Sequence, residues 1–200
     1  MTKDLNESLH RFIVRTDSLS LSLNVVLPQD ATESAACVPL HVHGRAFLVV
    51  RLISLWAEFC KEIVLKSALG ATTISGTAIP RAPGIRSVAD VRAKEKLSGI
   101  GANWHWQKYC MENAQKLAIR NYSQVSLGVG SAPTKSLMDI RNFVVHPNQS
   151  TRSDYVLAVR AIGVQLQEPD DLMRQRVVGG ATLFEQWVFD FQDAALNAVK

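Results

Sequence analysis

The chain has 200 residues, 47% of them apolar and 20% charged, a balance that supports a packed core and excludes a disordered chain. Its 22 basic and 18 acidic residues leave a formal charge of +4, which permits an acidic partner such as nucleic acid without demanding one. The longest apolar stretch, residues 46–57, is broken by Arg51 and falls short of the roughly 18 residues that a span requires, so no membrane partner is expected.

Residues 2–26 place Leu5, Leu9, Phe12 and Ile13 at helical spacing, and Pro28 with Asp30 breaks the pattern. Residues 19–23 alternate with period two, so strand competes there; helix is the reading taken. The strongest helix covers residues 43–69. Leu48, Leu52, Leu55, Phe59 and Ile63 form its stripe, Trp56 lies beside it, and Arg51, Glu58, Glu62 and Lys66 fall elsewhere. Glu62 and Lys66 make an i,i+4 pair, and Gly70 is a natural stop.

Residues 70–86 are a long connector rich in Gly, Pro, Thr and Ala. It has room for a short hairpin, and Arg81 and Arg86 are available to phosphates. A third helix is predicted over 102–125, with Trp106, Cys110, Ala114 and Leu117 in step, and then a glycine-containing loop at 127–131. Thr134 or Ser136 caps a helix reaching Val145, Ser136 and Asp139 approximate a capping box, and Pro147 ends it. Another helix is expected over 151–162, capped by Thr151 or Ser153 and stopped by Gly163. The last covers 182–199, with Phe184, Trp187, Val188, Phe191 and Ala195 on its apolar face. Every long periodic segment has the helical period. The expected fold is all-α: an up-down helical bundle of about five to six helices with long connecting loops, one domain over 1–200.

Three motifs carry less than they suggest. Residues 128–136 pair a glycine loop with Lys135 and Ser136, but a phosphate-cradling loop needs Gly where Thr134 and Val129 stand. His41 and His43 lack further nearby ligands, so no metal and no cofactor are expected. Trp104-His105-Trp106 reads as core more readily than as a stacking platform. Three scattered cysteines, Cys37, Cys60 and Cys110, form no disulfide framework or CxxC pair. No secretory leader is read in residues 1–15, where Asp4 and Glu7 interrupt any apolar run, and a cytoplasmic location is expected.

Residues 137–147 carry the functional signal. On an ideal helix at about 100° per residue, Leu137, Met138, Ile140, Val144 and Val145 share a broad apolar arc. Arg141 falls inside that arc, while Asp139, Asn142 and His146 cluster opposite. An arginine in an apolar stripe needs a reason. It snorkels, or pairs with an acid such as Asp139 or Glu185, or grips an anion with its planar fork. Arg141 and His146 stand roughly 140° apart on an ideal helix. Their groups meet only if Pro147 distorts the helix at His146, or if two chains assemble the site across a two-fold axis.

Arg141, Asn142 and His146 resemble the motif of the HEPN superfamily, in which four to six residues separate an Arg from a His and a polar residue often follows the Arg. The helix carrying Trp56-Ala57-Glu58-Phe59 is similar to the long second helix of such domains, and the resemblance covers about residues 41–163. It implies a homodimeric, metal-independent ribonuclease, of a toxin–antitoxin pair or an antiphage defence system, with Arg141, His146 and Asn142 as catalytic residues. RNA and an antitoxin or other neighbouring-gene protein are the implied partners. Asn148 stands where some members carry a modifiable Tyr, so control by that route is not implied here. The competing reading is a non-catalytic helical interaction module that scaffolds a complex.

Overall fold

A computed structural model describes residues 4–25, 44–97, 104 and 106–200, the side chains of residues 24–25 and 95–97 excepted. Among the described residues it is an all-α protein with one small two-stranded sheet. The helices are α1 (Leu5–Val25), α2 (Ala46–Leu69), α3 (Val88–Leu97), α4 (Gln107–Lys116), α5 (Tyr122–Ser131), α6 (Thr134–Val145), α7 (Gln149–Ala161), α8 (Pro169–Arg174) and α9 (Leu183–Val199). Strands β1 (Ala71–Thr72) and β2 (Ala78–Ile79) pair antiparallel, with Ala71 opposite Ile79 and Thr72 opposite Ala78. No helix among the described residues is long and apolar enough to cross a membrane.

The chain forms two compact units. The first takes the described residues of Met1–Val14, Ser54–Ala132 and Asp190–Lys200. Its core grows from the stripes anticipated in α1 and α2. Phe12 meets Phe59 tilted at 4.9 Å, Trp56 stacks on Phe59 at 5.6 Å, and Phe191 of α9 meets Trp56 edge-on at 5.0 Å. Aromatic rings in such offset and edge geometries add to their area burial. Cys60 and Cys110 are both buried, and burial together with the neighbouring Cys110 thiol pushes the Cys60 thiol up, which favours its neutral form.

The expected Glu62–Lys66 pair is present, and Lys66 is only 2% exposed. Its Nζ donates to Ser8 Oγ at 2.8 Å and to the Asp4 carbonyl at 3.0 Å, and pairs with Glu62 at 3.0 Å. Arg11 and the Ser8 hydroxyl each donate to the same Glu62 oxygen at 2.9 Å. A buried ammonium is tolerable only when its donors are satisfied in this way.

Several elements differ from expectation, the short α8 at Pro169–Arg174 among them. The predicted helix over 102–125 is two helices, because Ala118 adopts φ 51° and the chain turns through residues 117–121. The predicted glycine loop at 127–131 is instead the end of α5. Gly128 is there because α5 lies against α9: a Cβ at Gly128 would stand 2.4 Å from the Ala198 nitrogen. Helix α3 was not anticipated, although Ser87 and Asp90 sign it. The Asp90 carboxylate accepts from the Ser87 nitrogen at 2.8 Å, and Ser87 Oγ accepts from the Asp90 nitrogen at 3.3 Å. In the connector, the hairpin is present and Arg81 is committed to it, donating to the carbonyls of Leu69 and Arg86.

The second unit takes the described residues of Arg15–Ile53 and Pro133–Phe189. Here α6 and α7 pack on each other across the short corner at residues 146–148. Phe143 of α6 stacks on Tyr155 of α7 at 4.8 Å. Asp170 of α8 accepts from the first amide of α2, at Ala46, at 2.8 Å, placing a carboxylate on the positive end of that helix. Helix α9 opens with a Thr182–Glu185 capping box, so Glu185 is occupied at its own helix start.

Candidate functional site

Pro133 stands at the N-cap of α6 in a non-helical conformation, and Thr134 is the first helical residue. Thr134 and Ser136 therefore fall inside the helix, and neither caps it. The Ser136–Asp139 box expected from the sequence does not form. The apolar arc is real: Leu137, Met138 and Ile140 are buried, while Val144 and Val145 are half-buried.

Arg141 is half-buried and donates from Nη1 to Asn142 Oδ1 at 3.1 Å. Among the described residues it pairs with no carboxylate, neither Asp139 nor Glu185. Asn142 thus steadies the guanidinium through one bond and leaves its remaining donors open. Asp139, one turn back, is half-buried. Burial, together with Asp154 of α7 nearby, raises its carboxyl above the usual range, with Lys135 opposing.

His146 caps the C-terminus of α6 at φ −133° and ψ 69°, outside helical geometry, as expected of a residue that precedes proline. Its amide still bonds the Asn142 carbonyl at 2.8 Å, which anchors its backbone to the helix. Its carbonyl accepts from Thr151 Oγ1 at 2.7 Å and from Asn148 Nδ2 at 3.2 Å. The imidazole is exposed and has no hydrogen-bond partner among the described residues.

The corner after it is built by a capping box, and the helix cap stands three or five residues before the two positions expected for it. Asn148, not Thr151 or Ser153, caps α7: its side chain accepts from the Thr151 amide at 3.0 Å, and Thr151 Oγ1 accepts from the Asn148 amide at 3.1 Å. A rigid N-terminal corner therefore holds the backbone from which His146 projects.

Beside this corner the second unit contains a cavity of about 230 Å³, lined by Phe143, Arg152, Tyr155, Leu166, Gln167 and Glu168 among others. The sequence reading missed it. Tyr155 donates its hydroxyl to the Gln167 carbonyl at 2.6 Å. Burial, with the Glu168 and Asp171 carboxylates nearby, raises the phenol well above its ordinary value, so it remains a neutral donor.

His41, His43 and His105, considered above as metal or stacking candidates, lie outside the described residues. Trp104 is buried and Trp106 half-buried. No family model, curated protein or solved structure matches the chain.

Proposed function

We propose that the chain is a metal-independent endoribonuclease of the HEPN kind, an up-down helical bundle acting as a cytoplasmic homodimer in a toxin–antitoxin or antiphage defence system. The observation that carries this reading is the end of α6. It presents an arginine whose only side-chain partner among the described residues is Asn142, the asparagine that orients it, and a histidine turned off the helix into solvent.

The residue types suit transesterification. The imidazole takes the proton of a ribose 2′ hydroxyl, and that oxygen attacks the adjacent phosphorus. The bond from phosphorus to the 5′ oxygen breaks, and the imidazolium returns a proton to the departing oxygen. The product carries a 2′,3′-cyclic phosphate, and the other fragment a 5′ hydroxyl. The Arg141 guanidinium stabilises charge growing on the phosphoryl oxygens, the role a metal fills elsewhere. Asn142 keeps the fork in place. A two-fold pairing of chains would join two such sets in one cleft. An antitoxin or other neighbouring-gene protein is the expected regulator.

The test is RNA cleavage by the purified chain in EDTA, with Arg141→Ala and His146→Ala alongside. Cleavage in the wild type, lost in both variants while their melting temperatures hold, supports the reading.

A second reading is a non-catalytic interaction module. Phe47, Leu157 and Phe189, large apolar side chains all exposed, favour it. It predicts that Arg141→Ala and His146→Ala alter partner capture and leave RNA intact.

A further inference from the structure

The cavity beside the His146 corner is small. Drug-sized pockets hold about 300–1,000 Å³, and this one, at about 230 Å³, suits a single planar ring system. Its walls are of two kinds. Phe143 and Tyr155 form a stacked aromatic pair. Arg152, Gln167 and Glu168 supply guanidinium, amide and carboxylate groups, and among the described residues none of these three side chains has a hydrogen-bond or ion-pair partner. Arg152 and Glu168 line one cavity and form no ion pair with each other.

An aromatic wall with separate donors and acceptors at its edge is the chemistry that reads a base. Single-stranded RNA is recognised by stacking on aromatic rings and by hydrogen bonds to base edges that carry both donors and acceptors. Position points the same way. Phe143 precedes His146 by about one helical turn, and Arg152 directly follows Thr151, whose hydroxyl holds the His146 carbonyl. The polar groups of the larger groove of the first unit, about 560 Å³, are by contrast already engaged with one another through Arg11, Glu62 and Lys66.

We infer that this cavity seats one nucleobase of the RNA, next to the phosphate held at Arg141 and His146, and so sets which base flanks the cleaved bond. The inference rests on the ribonuclease reading for its substrate, and its test is kept independent of catalysis. The probes are the four 2′-deoxynucleoside 3′-monophosphates, which lack the attacking hydroxyl, with inorganic phosphate as reference, measured by equilibrium dialysis against the full chain.

At least one nucleotide should bind about tenfold or more tightly than inorganic phosphate. Val156→Phe, which fills the cavity from α7, should abolish that difference and leave phosphate binding unchanged. Arg152→Gln, an exposed substitution in the first turns of α7, should reduce it several-fold and serves where Val156→Phe fails to fold. Equal binding of all four nucleotides and phosphate, or binding indifferent to both variants, overturns the base seat even if RNA is cut. Base-dependent binding lost in Val156→Phe, in a protein that cuts no RNA, upholds the seat and removes the nuclease instead.

Discussion

Gly128→Ala gives the sharpest test of how the first unit is packed. In a free helix this change stabilises, because glycine is about 0.8–1.0 kcal/mol worse than alanine in a helix interior. At Gly128 the added methyl would stand 2.4 Å from the Ala198 nitrogen and 2.5 Å from its Cα and Cβ. Carbon atoms in contact prefer about 3.5–4.0 Å, and the obstacle is largely backbone. Overpacking of this kind costs about 1–3 kcal/mol, and a rigid obstacle places the site at the upper end. Subtracting the propensity gain leaves a loss of about 2 kcal/mol, or roughly 4–8 °C in melting temperature for a chain of this length. Gly130→Ala is the control on the same helix. Its methyl would meet chiefly the Gln107 amide tip, at 2.8 Å, which can swing away, so this variant should melt slightly higher than wild type. Thermal unfolding followed by far-ultraviolet circular dichroism reads both. If Gly128→Ala raises the melting temperature as Gly130→Ala does, α5 and α9 do not approach as described.

Lys66→Ala strips a donor from Ser8, Asp4 and Glu62 inside the fold and should cost about 3–5 kcal/mol in urea titrations; a loss under about 1 kcal/mol would mark the pair as a surface one. Asn148→Ala removes the α7 cap and should cost about 1 kcal/mol in the same assay. Asp139 has a raised carboxyl, so the fold disfavours its charge: the penalty is absent at low pH, enters as pH rises through the unfolded value near about 4, and is complete above the folded one. Asp139→Asn should therefore melt higher than wild type at neutral pH, with the gap closing at acid pH, and a gap independent of pH would refute the cause assigned to the shift.

The helical character of the chain was readable wherever a segment had one apolar face. The stripes of α1, α2, α6 and α9 appear in the structure within a few residues of their expected bounds. Boundaries failed where tertiary contact overrides local preference. Gly128 signals a loop by propensity, yet it is helical because α9 presses on it. Ala118 carries no sequence mark of the left-handed turn it makes. The Glu62–Lys66 pair was legible from its spacing but its burial was not, because nothing in that spacing tells that Ser8 and Asp4, more than fifty residues earlier, bond the ammonium. Two signals were present and unread: Ser87 with Asp90 ahead of α3, and Asn148 with Thr151 ahead of α7.

At the candidate site, the order Arg141, Asn142, His146 was legible, as was the disturbance imposed by Pro147, which the backbone at His146 displays. The bond from Arg141 to Asn142 was not, since neighbours in sequence do not face one another on an ideal helix. The cavity was also hidden. Phe143 and Tyr155 lie on successive helices, and only the fold of the corner brings their rings together with the strip at residues 166–168.

The central claim is that Arg141 and His146 act on one phosphodiester. The most direct measurement is the end-group chemistry of RNA incubated in EDTA with the wild-type chain and with His146→Ala. The account predicts fragments ending in 2′,3′-cyclic phosphate from the wild type and intact RNA from the variant, both proteins equally folded. Intact RNA from both, or equal cleavage by both, would contradict it.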